Sequence, residues 1–269
     1  MADTSAVSPA PLTAPLGPMA DTSAVPRLPA APSAPWLIQV KFKELLADEP
    51  GVHVPAVVPE LSTASILTTH FAQGTPIDAA VELAPETRNA IGRRLLKLTL
   101  RELFEFRHMQ TDPNWSNFLY DATSDTISLL DFGAAREYPK EFIDEYIRLV
   151  WAAAEQDEDE LIEVSVRLGM LTGDESRKMM RAHITAGFAI GEPFMHAGEF
   201  DFAEAKLTKQ VRKQSDVFAK ERLVAPPTEV YSLHRRLAGA YSTCIKLGAT
   251  FVCRDLLENV YHSYAFDDK

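Results

Sequence analysis

The chain has 269 residues with 46% hydrophobic and 24% charged side chains, enough for one or two domains with a real core. Its formal net charge of -11 repels phosphate backbones, which argues against broad nucleic-acid binding and against simple electrostatic attachment to anionic lipid. Two cysteines, Cys244 and Cys253, leave no disulfide framework, and no apolar run reaches the ~20 residues that span a bilayer.

The chain opens on a segment rich in Ala, Pro, Ser and Thr, with the phrase Met1–Val7 repeated at Met19–Val25. Such a composition buries too little apolar surface to offset ordering entropy, so residues 1–37 read as a disordered leader. With one arginine (Arg27) and two aspartates (Asp3 and Asp21), it matches a transit peptide poorly. From Gln39 to Ala47 the pattern turns helical, with Val40, Phe42, Leu45 and Leu46 on one side, until Pro50-Gly51 ends it. Two strand candidates follow, Ala56 to Leu61 and Ser65 to Phe71, the second closed by Gln73-Gly74-Thr75-Pro76.

Pro85-Glu86 opens a long helix, because proline lacks a donor the first turn does not need and the acid suits the positive helix end. Ile91, Leu95, Leu98 and Glu102 share one face, which Leu96, Leu100, Leu103 and Phe104 widen, so this helix is expected at the centre of a core. A hairpin is then predicted from Phe118-Leu119-Tyr120, a turn over 121–125, and Ile127 to Leu130. Further helices are predicted over Lys140–Gln156, Asp159–Leu168, Asp174–Met195, Phe202–Glu221, Pro227–Leu247 and Arg254–Tyr264.

Chemistry concentrates between the long helix and the hairpin. Asp112 is followed five positions later by Asn117, and the hairpin ends in Asp131-Phe132-Gly133. Phosphoryl transfer needs an acceptor that orients the nucleophile and oxygen ligands that hold Mg²⁺ against the phosphates. An aspartate and an asparagine from one tight loop supply both, and a hairpin returns a second carboxylate to the same ion. Magnesium favours that mix of carboxylate, amide oxygen and phosphate. Asp112-Pro113-Asn114 is also a plain turn sequence, and Asp131 could simply cap a helix. Neither reading accounts for the order and spacing of all three residues.

Asp112-Pro113-Asn114-Trp115-Ser116-Asn117-Phe118 closely resembles the catalytic loop of the UbiB atypical kinases, in particular eukaryotic members needed for coenzyme Q biosynthesis. The stretches at 100–106, 129–134 and 231–235 are similar to that family too. The resemblance implies an α+β, protein-kinase-like fold: a remnant of the small lobe and hinge over 38–75, and a mostly helical large lobe over 76–269. It implies ATP and Mg²⁺ as cofactors, with Asp112 as catalytic-loop aspartate and Asn117 and Asp131 as metal ligands. Backbone groups around Phe71 and Ala72, in the stretch 69–74, would form the adenine hinge. Nucleotide is the implied partner, with membrane lipid or coenzyme Q biosynthetic enzymes beside it, and the mitochondrion is the implied location.

Ala134 to Pro139 lead straight into helix, leaving no activation segment or peptide platform, so a protein substrate is not expected. The family's Lys-x-Gly-Gln motif, Ala-rich nucleotide loop, phosphate lysine and its paired glutamate are not found where they should stand, which reads as a shortened chain with impaired turnover. Lys41 is set aside as the phosphate lysine because it opens a helical run, and Glu44 reads as solvated. A catalytically silent lipid- or protein-binding module is the alternative function.

Three other features are read conservatively. The acidic run Glu155, Asp157, Glu158, Asp159 and Glu160 is taken as a solvated helix junction. His183, His196 and His234 are too dispersed to argue a metal site, and His234-Arg235-Arg236 is read as paired with acids rather than facing a phosphate or lipid headgroup. Trp151 and Met179-Met180 are assigned to the core.

Overall fold

The computed structural model describes residues 36–63 and 65–267, with the Thr208 side chain also left out, so most of the expected leader lies outside the described residues. Nine α-helices, four short 3₁₀ helices and eight short strands are seen among those residues. Helix α1 (Leu37–Leu45) starts two residues before its predicted onset and buries Gln39 and Phe42. Strand β1 (Val52–His53) pairs in parallel with β5 (Thr126–Leu129), and β2 (Thr75–Pro76) pairs antiparallel with β4 (Phe118–Asp121). The predicted hairpin is the β4–β5 pair, in register Phe118↔Leu129 to Asp121↔Thr126. Together they form one sheet, ordered β1-β5-β4-β2, which ties residues 52–53 and 75–76 to the hairpin. Gly74, at φ 128°, lets this happen, because a Cβ there would lie 2.7 Å from the Tyr120 carbonyl oxygen.

The two strand candidates at 56–61 and 65–71 shrink to a single bridge, Val57↔Thr69. Two backbone hydrogen bonds flank it, from Val58 N to Thr68 O and from His70 N to Ala56 O. Pro59–Leu61 leave extended structure for a 3₁₀ turn, since proline cannot donate to a ladder. Leu61, Ile66, Leu67 and Phe71 consequently point outward and are exposed.

Helix α2 (Pro85–Phe104) is the central helix predicted, with Ile91, Leu95, Leu96, Leu98, Leu100, Leu103 and Phe104 all buried. It packs most heavily on α8 (Thr228–Leu247), while α3 (Lys140–Glu155) packs on α4 (Glu158–Arg167) and α5 (Arg177–Gly191). Gln156 takes a left-handed turn after α3, and the Asp157 carboxylate then caps α4 by accepting from Glu160 N. The acidic run is thus a helix junction, with Glu155 paired to Arg254 at 2.5 Å.

Two predicted helices are shorter than their sequence pattern. Residues 174–176 stay out of α5 because Glu175 turns back to accept from Thr172 N and Gly173 N, and Ser176 becomes the cap, accepting from Met179 N. The predicted helix Phe202–Glu221 is broken into α6 (Leu207–Arg212) and α7 (Ser215–Glu221). Its start is lost because Glu199–Asp201 pairs as β7 with β8 (Thr250–Val252), and the Asp201 side chain accepts from Ala203 N and Glu204 N. Helix α9 (Arg254–Ser263) closes the lobe and presents Tyr261 for stacking on Trp151, ring centroids 4.0 Å apart. No described helix is long and apolar enough to cross a membrane.

Candidate active site

Strand β3 (His108–Gln110) leaves the C-terminal end of α2 and pairs antiparallel with β6 (Ala135–Glu137), so the chain entering the Asp112 loop lies beside the chain leaving Asp131-Phe132-Gly133. Two side chains fasten the two. Gln110, 1% exposed, donates from Nε2 to the Asp131 carbonyl at 2.6 Å, while its Oε1 accepts from Asp112 N at 2.8 Å. Next to it, Thr111 donates from Oγ1 to the Ala134 carbonyl at 2.7 Å. One buried amide therefore sets the spacing between the two aspartates expected to carry chemistry.

Within the loop, the Asn114 side chain caps the 3₁₀ turn Trp115–Asn117 by accepting from Ser116 N. That turn brings Asn117 back over Asp112, and its Nδ2 donates to Asp112 Oδ2 at 3.0 Å. Because the amide nitrogen is spent on Asp112, the Asn117 Oδ1 is the end left to accept a cation. The Asn117 carbonyl takes Leu130 N at 3.0 Å, which puts Asp131 immediately beyond the residue paired to Asn117. Asp131 is exposed, and one carboxylate oxygen accepts from Gly133 N at 2.7 Å. Asp112, Asn117 and Asp131 are thus held in one hydrogen-bonded unit.

Phe132 turns the other way, into the core, and its ring lies 4.6 Å from that of Phe42 on α1. Helix α8 braces the loop from below. Arg235 donates from Nε to the Thr111 carbonyl at 3.2 Å. Gly239 makes room for Pro113, since a Cβ there would sit 2.1 Å from the proline Cβ. Arg236 pairs with Glu102 of α2 at 3.3 Å, both fully buried, so the expectation of acid partners holds for this arginine and not for Arg235. Burial pushes the Glu102 carboxyl up to about 7, against the pull of Arg236 and the Gln110 backbone.

The remaining sequence candidates fall elsewhere. Phe71 stands almost fully in solvent, 84% exposed, so its side chain does not line a pocket, and only the backbone at Phe71 and Ala72 is left to contact a ligand. Lys41 lies 2.7 Å from His108 Nε2, engaged at the root of β3, and Glu44 is exposed. The stretch after Gly133 is fully committed: β6 pairs with β3, Tyr138 is buried with its hydroxyl 2.9 Å from Ser232 Oγ, and α3 starts at Lys140. Gln110, Arg235, Gly239 and Phe42 were not singled out by sequence as site residues. Gln110 does not stand out in its strand, because His108 beside Met109 is polar too.

A helical lobe, a hairpin carrying an aspartate turn, and a short sheet-and-helix remnant above it define a protein-kinase-like α+β fold with an incomplete small lobe. The fold likeness extends to the structure of Rv3197 from Mycobacterium tuberculosis, solved in complex with erythromycin, at TM-score 0.67 and 21% identity over 82% of this chain and 55% of that one. Residues 38–165 match the ABC1 atypical kinase-like domain. The chain is 48% identical over 223 residues to the atypical kinase COQ8B, mitochondrial, of Rattus norvegicus, covering 83% of this chain and 42% of the relative. It is 40% identical over 223 residues to the atypical kinase COQ8, mitochondrial, of Saccharomyces cerevisiae, covering 82% and 44%. The chain belongs to the UbiB-type, or ABC1, atypical kinase family, and spans about two fifths of the length of these relatives.

Proposed function

We propose that this chain is the catalytic-loop lobe of a Mg²⁺-ATP-dependent ATPase or phosphotransferase that supports ubiquinone biosynthesis in the mitochondrion, with no peptide substrate. The observation that carries the reading is the Asp112–Asn117–Asp131 unit clamped by Gln110. Its donor set fits magnesium: an amide oxygen left unspent at Asn117 and an exposed carboxylate at Asp131, both hard oxygen ligands. When bound, the ion would neutralise phosphate charge. The protein's own work is to hold Asn117 Oδ1 and Asp131 toward it and to keep the Asp112 carboxylate ready to orient an attacking hydroxyl or water. The hinge role belongs to the backbone of Phe71 and Ala72. The mitochondrial, coenzyme Q assignment rests on the named relatives, and the exclusion of a peptide rests on the committed 134–139 stretch.

A second reading, a silent binding module of the coenzyme Q pathway with membrane lipid or biosynthetic enzymes as partners, is favoured by one observation. Lys41, the lysine nearest in sequence to where a phosphate clamp belongs, is occupied by His108. Without a lysine on the phosphates, half the charge clamp is missing and turnover falls by orders of magnitude. Thermal denaturation with ATP and Mg²⁺ separates the two. The enzyme reading expects a magnesium-dependent rise in melting temperature that Asp131→Ala removes, together with slow phosphate release that Asp112→Asn suppresses. No rise with Mg²⁺-ATP, and an Asp131→Ala variant indistinguishable from its parent, would leave only the silent module.

A further inference from the structure

Away from the catalytic loop, helices α3, α4, α5, α6, α7 and α8 line a cavity of about 450 Å³ that opens to solvent. That is the size of a small-molecule site and far larger than a packing defect. Its wall is mostly apolar, built by Leu149, Leu161, Met170, Ile190, Phe218 and Leu237. Two of its polar groups are already satisfied. Tyr241 donates its hydroxyl to the Ile190 carbonyl at 2.6 Å. Ser165 gives its hydroxyl hydrogen to Leu161 O, so the His183 Nε2 beside it, 2.7 Å away, is the donor of that pair.

Two nitrogens are left over. His234 Nε2 and Arg222 Nε are shielded from solvent and find no hydrogen-bond partner among the described residues. Arg222 lies over the Phe218 ring at 4.9 Å, but neither it nor Arg212, which also lines the cavity, pairs with a carboxylate among the described residues. A cavity with apolar walls, an unmet Arg222 N–H, an unpartnered ring nitrogen of His234, and the Arg222 guanidinium with that of Arg212 at the exposed rim has the polarity of an anion's head and the volume of its tail. Burial and the Arg222 charge hold His183 down at about 4, and burial, His183 and Arg222 do the same for His234. Both imidazoles are therefore neutral near pH 7, and the surplus positive charge comes from the arginines alone.

We propose that this cavity binds a single-chain amphiphile with an anionic head, a fatty-acid carboxylate being the simplest member, with the head on Arg222 and His234 and the chain among the apolar wall residues. The test is equilibrium dialysis of the full chain against radiolabelled dodecanoate below its critical micelle concentration, with unlabelled dodecanol and dodecyltrimethylammonium as competitors. Dodecanoate is expected to saturate at one molecule per chain. Dodecanol should compete only at concentrations about tenfold higher or more, and the cation should not compete. Arg222→Gln should weaken binding by about tenfold or more, because a charge-assisted hydrogen bond is lost. Ala238→Phe, which fills the cavity from α8, should abolish it. Arg222→Gln alters only a partly exposed side chain, and it stands as the deciding variant if Ala238→Phe does not fold. Non-saturable uptake, equal competition by the alcohol or the cation, or unchanged affinity in Arg222→Gln would each overturn the assignment.

Discussion

Gln110 offers the sharpest test of how the site is held. Its amide makes two bonds, to Asp112 N at 2.8 Å and Asp131 O at 2.6 Å, and the side chain is 1% exposed. In Gln110→Ala both backbone groups lose their partner at once. A buried group left unpaired costs about 1–3 kcal/mol, and water reaches part of this loop, so the sum is about 2–4 kcal/mol. For a domain of this size that lowers the melting temperature by roughly 5–15 °C. Gln110→Glu keeps the acceptor for Asp112 N but sets an oxygen against the Asp131 carbonyl, so it should be at least as damaging. The assay is thermal and urea denaturation with and without Mg²⁺-ATP, where the substitution should also erase magnesium-dependent protection. A Gln110→Ala protein that melts within about 2 °C of its parent and keeps that protection would refute the clamp.

Gly239→Ala ordinarily gains about 1 kcal/mol in a helix, but here the new methyl meets Pro113 at 2.1 Å, so a net loss of about 1–3 kcal/mol is expected. A melt that rises would show that the loop yields freely. Arg236→Ala should cost about 3–5 kcal/mol in urea denaturation by stranding Glu102, while the double change Glu102→Leu, Arg236→Met should recover most of it; a double variant as weak as the single would contradict a desolvation cost. His183 titrates near 4 in the fold and near 6.5 when unfolded, so the unfolded chain takes up the extra proton first, and stability falls as pH drops from about 6.5 to about 4. The contribution is about 3 kcal/mol at most, and comparing urea midpoints at pH 7 and 4.5 should show a smaller drop for His183→Gln than for the parent.

Much of the fold was legible because its strongest elements carry their cause locally. Helix α2 has an apolar face more than half its girth and a proline start, and the β4–β5 hairpin alternates around a polar turn. The failures have equally local causes. Phe202–Glu221 has helical composition throughout, yet one aspartate side chain bonding two residues onward, with a neighbouring strand to pair, outcompetes the first turn. The strand candidates at 56–71 have β-branched residues but a proline and few neighbours, so a single bridge forms. Propensity gives only a weak prior, and pairing partners decide.

The site divides along the same line. Asp112, Asn117 and Asp131 could be picked out because their spacing is local: five residues of loop separate the first two, and one hairpin returns the third next to the residue bonded to Asn117. Gln110 was hidden because a bridge between two backbones leaves no periodic trace. His183 and His234 were set aside as too dispersed for a metal site. Distance along the chain was nonetheless the wrong measure for a cavity. Helices α5 and α8 carry these imidazoles to a shared wall, so their meaning depends on helix packing that no single-sequence pattern specifies. Residues that share a tight loop and a hairpin are readable in sequence. Residues that meet across a lobe become visible only when the helices are placed.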